Sequence, residues 1–178
     1  MKKTILTFGL LSGVICAGLM NLSLVFAHRI GYEHSMIVGY TIMVMSFLLV
    51  YFGVRSYRDE DCGGSITFGR AFRVGMGIML ITCVFYVIGW EILYHFFMPD
   101  FYDKYGAYVM EKARAAGANA AALEAKAAQL QQMKAMYANP IINACMTFIE
   151  PFPVGLLITL ISAVILRRKA GVQTAMAN

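Results

Sequence analysis

What most limits the fold of this chain is a set of long apolar blocks without charge. Thr4–Ala27, Ser35–Val54 and Val74–Ile88 contain no Asp, Glu, Lys or Arg. A fourth block, Ile141–Leu166, is interrupted by Glu150 within Glu150-Pro151-Phe152-Pro153. An α-helix rises about 1.5 Å per residue, so about 20 such residues cross the roughly 30 Å hydrocarbon core of a bilayer. Lipid offers no hydrogen bonds, so each crossing segment must satisfy its own backbone, as a helix does. The expected fold is therefore all-α: a four-transmembrane-helix bundle forming a single integral membrane domain over 1–178. Its spans are expected near 4–27, 35–54, 72–97 and 141–166.

Composition agrees. Hydrophobic residues make up 60% of the chain and charged ones 14%, against about 45–50% and about 25% in soluble domains. The formal net charge of +5 does not indicate nucleic acid here. Basic residues of membrane proteins gather at cytoplasmic helix ends and face anionic lipid, so the expected partner is the lipid bilayer. Cys16, Cys62, Cys83 and Cys145 form no C-x-x-C pair, and three of them lie in apolar runs, where a thiol acts as a small apolar group. Neither a disulfide framework nor a zinc site is indicated, and Cys62 is the one expected to be wet.

Met1-Lys2-Lys3 precedes the first block, and Val25-Phe26-Ala27 would suit a signal peptidase. The block exceeds the roughly 7–15 apolar residues usual in a cleaved signal, which favours a retained helix. Gly9, Gly13 and Ala17, four apart, make a small-residue face for close helix contact. His28–His34 forms a short outer turn into the second span, which must return antiparallel. The pair His28 and His34 lacks a third ligand, so no metal is expected.

Arg55–Arg73 is a basic hinge: four arginines face Asp59, Glu60 and Asp61 in a solvated surface network, and Gly63-Gly64 breaks any helix. Ser65 or Thr67 can cap the third span. The polar stretch 99–139 reads as a helical hairpin or one bent helix, with Gly117 as a stop and Asn119 as a new cap. Leu123, Ala127, Leu130, Met133 and Tyr137 recur at three and four, so the second half presents one apolar stripe. Lys2, Lys3, Arg55, Arg58, Arg70, Arg73, Arg167, Arg168 and Lys169 concentrate in the N-terminus, hinge and tail. The positive-inside rule then places both termini in the cytoplasm and makes the hairpin extracytoplasmic.

The run Gly63-Gly-Ser-Ile-Thr-Phe-Gly-Arg-Ala-Phe-Arg-Val-Gly75 carries Phe68-Gly69-Arg70-Ala71-Phe72-Arg73-Val74-Gly75. It resembles the F-G-x-A-(F/L)-(K/R)-x-G segment of a membrane family called domain of unknown function 4199. The resemblance extends along nearly the whole chain. It implies a four-helix integral membrane protein, most often of the bacterial cytoplasmic membrane, and carries no known activity.

Glu91 and Glu150 are the acids inside apolar runs. Counted from the basic ends, Glu91 lies at a height of about 26 Å and Glu150 at about 24 Å. Two carboxylates at one height, with His95 one turn above Glu91, could share a proton or hold a cation. Two plainer readings compete. Tyr86, Trp90 and Tyr94 mark an aromatic belt in which Glu91 and His95 simply reach headgroups and water. Glu150 before Pro151 can open a helix and accept its unsatisfied N–H groups. Arg70 and Arg73, three apart, suit a phosphate group or lipid anchoring.

The chain contains no phosphate loop, dinucleotide fingerprint or nucleophilic catalytic set, so neither a cofactor nor an enzyme is expected. The leading functional reading is a non-enzymatic membrane protein whose outer hairpin and helix faces contact another membrane component, such as a membrane protein, or a second copy. The alternative is a small ion- or proton-coupled carrier using Glu91, His95 and Glu150.

Overall fold

A computed structural model describes residues 1–25 and 32–168, and among these every regular element is helical. The order is α1 (Lys2–Val25), α2 (Tyr32–Ser56), α3 (Phe68–Ile92), α4 (Phe101–Ala115), α5 (Ala120–Tyr137), α6 (Pro140–Ile149) and α7 (Pro151–Leu166). A wider π-helical turn extends α2 through Tyr57–Asp61, and another extends α3 through Leu93–Phe97. Four helical segments are long and apolar enough to cross a membrane: Lys2–Val25, His34–Asp61, Phe68–Phe97 and Pro140–Leu166, with mean hydropathies of 1.9 to 2.1. The stops are local. Gly63, Gly64 and Gly117 hold φ values of +59°, +82° and +80°, a left-handed conformation that costs glycine little. Asn119 caps α5 as expected, its side chain accepting from the Ala122 N–H at 2.9 Å. The fourth span is divided at Glu150 into α6 and α7.

The described residues form two compact units, one from 1–89 and 148–168 and one from 90–147. In the first, α1 is built inside out. Its buried residues are Gly9, Ser12, Gly13, Cys16 and Ser23, while Leu6, Leu10, Val14, Leu19 and Leu22 are exposed. Water would drive those leucines inward. In lipid they gain nothing by burial, and helices associate through small residues and hydrogen bonds instead. The Gly9–Gly13–Ala17 face does this against α3. A Cβ at Gly9 would lie 2.9 Å from Ile81 Cβ, and one at Gly13 would lie 2.7 Å from Phe85 Cγ. Ser12 Oγ donates to the Ser46 carbonyl of α2 at 2.8 Å, and Asn21 Nδ2 donates to the Gly89 carbonyl at 3.0 Å.

Helix α3 touches α1, α2 and α7 within this unit. Gly75 lets Thr159 and Val50 approach its backbone, and Val74, Ile78 and Met79 are fully buried with Phe47, Val50 and Val54. One end of the unit gathers charge. Asp61 lies 3.6 Å from the Met1 amino group. Ile66 and Arg168 exchange backbone hydrogen bonds of 3.1 and 3.0 Å, which sews the segment after α7 to the hinge before α3. The hinge network is not wholly solvated, contrary to expectation. Arg58, in the π-helical turn, is 9% exposed, and its Nε donates to Asp59 at 2.7 Å. At the start of α3, the backbone carbonyl of Thr67 accepts from the Arg70 and Ala71 N–H groups.

In the second unit α4 packs on α5 as a helical hairpin. Leu123, Ala127, Leu130, Met133 and Tyr137 are the half-buried positions of α5, with its exposed residues between them. The stripe therefore already has a cover in α4: Leu130 approaches Gly106, and the Tyr137 ring lies 4.8 Å from that of Tyr102. Lys134 pairs with Asp103 across the hairpin.

Candidate polar sites in and beside the spans

Glu150 stands between α6 and α7, immediately before the proline that opens α7. The expected capping contact is absent: the Glu150 side chain accepts no hydrogen bond from the α7 backbone. The residue itself is helical, with φ −63° and ψ −56°. That conformation carries the side chain away from the N–H groups a cap would meet. It accepts instead from Tyr86 Oη of α3, at 2.8 Å. Tyr86 is 6% exposed, so its hydroxyl needs an acceptor that the surrounding apolar side chains cannot offer. A double-mutant cycle of Tyr86→Phe and Glu150→Gln is expected to show coupling of about 1–2 kcal/mol in detergent unfolding. Additive effects would mean the hydrogen bond contributes nothing.

Glu91 and Glu150 fall in different compact units, and each carboxylate has its own partner inside its unit. For Glu91 the partner is His95, one turn on. His95 Nδ1 lies 3.3 Å from Glu91 Oε2 and 3.0 Å from the Glu91 carbonyl oxygen. A carbonyl can only accept, so Nδ1 carries a proton and Nε2 is left as the outward ring nitrogen. His95 is about half exposed, but Glu91 Oε1 is buried without a hydrogen-bond partner among the described residues.

A second polar contact in the same unit was not legible as a site. Trp90 Nε1 donates to Asn143 Oδ1 at 2.9 Å, and Thr147 Oγ1 donates to the same oxygen at 3.3 Å. The indole is a donor only, which fixes the orientation of the amide. Asn143 is fully buried, while Ile141, on the same helix, is 73% exposed. Helix α6 thus repeats the inverted pattern of α1. The signal that could have found this contact is a lone amide in an apolar block, because such a side chain turns toward protein rather than lipid. Trp90 also stacks on Tyr94 at 5.8 Å and meets Phe101 edge-on at 5.2 Å.

Arg70 and Arg73 sit in the first turns of α3 and are exposed. Arg70 reaches Cys62 Sγ at 3.9 Å, and Arg73 Nε donates to the Gly69 carbonyl at 3.3 Å. Between them Ala71 is fully buried, and the Phe68 and Phe72 rings stack at 6.0 Å. His28 lies outside the described residues.

The family model described as "Protein of unknown function (DUF4199)" matches residues 7–168. The chain belongs to the DUF4199 family. No curated protein and no solved structure matches it. In this DUF4199 chain the Phe68–Gly75 pattern has a packing basis: Ala71, Val74 and Gly75 are the buried positions of the first turns of α3, and Arg70 and Arg73 are the outward ones. The alternation places two cations on the surface of the same helix whose small residues admit α2 and α7.

Proposed function

We propose that this DUF4199 protein is a non-enzymatic, multi-pass protein of a bacterial cytoplasmic membrane. It presents the α4–α5 hairpin outside the cell membrane as a contact element for another membrane protein or a second copy of itself. Two features support the embedding and the orientation. Helices α1 and α6 turn large apolar side chains outward and polar ones inward. The Met1 amino group, the hinge and Arg168 meet at one end of the first unit, which by the positive-inside rule faces the cytoplasm.

The observation that carries the contact role is a crevice of about 520 Å³ along the hairpin. Ala127 and Leu130 of the half-covered stripe line it together with Met110 and Gln131, and Asp103 and Lys134 stand beside them. An apolar floor with a polar rim suits an amphipathic segment laid along it. The test is a photo-crosslinking side chain at Gln131 of the full chain in native membranes. A discrete adduct, with a second copy or with one other protein, is the expected product. Adducts with lipid alone would overturn the reading.

A further inference from the structure

At the basic end of the first unit, the acids are already engaged. Asp59 is held by Arg58, at 2.7 and 3.1 Å, and approached by Arg55 at 3.7 Å. Asp61 faces the Met1 amino group, and Glu60 accepts from Ser56 Oγ at 2.9 Å. Lys2, Lys3, Arg70, Arg73, Arg167 and Arg168 therefore have no carboxylate within ion-pair distance among the described residues. They come from three separate stretches of chain. The Ile66–Arg168 bridge draws the last pair to the hinge that leads into Arg70. Concentrated like charge repels, and α3 adds to it: its first turns hold two arginines and no acid, at the end of the helix that already carries partial positive charge.

We propose that this surface binds the phosphate of an anionic phospholipid headgroup, with Arg70 and Arg73 as its principal ligands. Guanidinium groups match phosphate oxygens in a two-pronged geometry that ammonium groups lack. A lipid, rather than a soluble phosphate, fits because apolar surface adjoins the cations. Phe68 is 39% exposed in the turn that bears Arg70, and its ring stacks on Phe72, the residue before Arg73. An acyl chain lies along such side chains while its headgroup meets the arginines. The proposal rests on the spans being membrane-embedded. It does not depend on which side this end faces, nor on what the hairpin contacts.

The experiment uses the full chain in detergent, with native mass spectrometry of retained lipid and thermal unfolding. The probes are phosphatidylglycerol, phosphatidylcholine and glycerol 3-phosphate. Wild type is expected to retain phosphatidylglycerol over phosphatidylcholine by on the order of tenfold, given the attraction typical of each basic residue near an anionic surface. The variant Arg70→Gln/Arg73→Gln is expected to bring that ratio within about twofold while unfolding at the wild-type temperature in phosphatidylcholine. Arg70→Lys/Arg73→Lys should fall between, since it keeps the charge and loses the fork. If the glutamine variant does not fold, the lysine variant carries the test. Equal retention of both lipids by wild type overturns the proposal, as does an unchanged ratio in the variants. Competition by glycerol 3-phosphate as effective as by phosphatidylglycerol overturns the lipid as the source and leaves a soluble-phosphate site.

Discussion

Gly13→Leu is expected to abolish the folded bundle, and Gly13→Ala to destabilise it by about 1–3 kcal/mol. The reason is where the new atom would go. A Cβ at Gly13 would stand 2.7 Å from Phe85 Cγ and 2.8 Å from Phe85 Cβ. These atoms are rooted at the α3 backbone and cannot swing aside as the tip of a long side chain can, so α1 and α3 must separate. Separation also strains the hydrogen bond from Ser12 to the Ser46 carbonyl, one residue away on α1. Gly18 is the internal control, since a Cβ there would meet nothing within 4 Å. Gly18→Ala is expected to be neutral or to stabilise by about 0.5–1 kcal/mol, because alanine costs less conformational entropy in a helix. Unfolding in a detergent series would measure both. Equal effects of the two alanine substitutions would sink the account.

Asn143→Ala is expected to loosen the second unit, with a cost of about 1–3 kcal/mol. The amide oxygen accepts from both Trp90 and Thr147, and its removal takes the acceptor from both donors. Some of that loss is returned, because the buried Nδ2 of Asn143 has no partner among the described residues and is removed as well. The cavity left by the side chain decides the sign as destabilising. Trp90 is the single tryptophan of the chain, so tryptophan emission reports on the surroundings of this one indole. A shifted emission maximum together with a lowered unfolding midpoint is the expected pair of results. An unchanged spectrum would show that the indole does not depend on Asn143.

How much of this was legible in the sequence differed by kind of feature. The four spans, the Gly63-Gly64 break, the Gly117 stop and the Asn119 cap were readable because each depends on residues within one helical turn or on block hydropathy. The α1 contact face was readable too, since Gly9, Gly13 and Ala17 lie one turn apart whatever they meet. The partner of Glu150 was not. A carboxylate before a proline is locally a helix cap, and only the approach of Tyr86, 64 residues earlier in the chain, offers it a better donor. The burial of Arg58, in a π-helical turn, was likewise announced by no local pattern.

The stripe on α5 marks the boundary. Its spacing alone determined that one face of that helix would be covered; the tertiary structure decided that α4 half-covers it and leaves a crevice. The same holds at the charged end. The sequence determined that Arg70, Arg73, Arg167 and Arg168 would flank spans. Only the Ile66–Arg168 bridge, between segments about a hundred residues apart, decided that they share one surface. Hydropathy and turn chemistry act over a few residues and are written locally. Which side chains meet across helices depends on how the backbones approach, and that is settled only when the whole bundle packs.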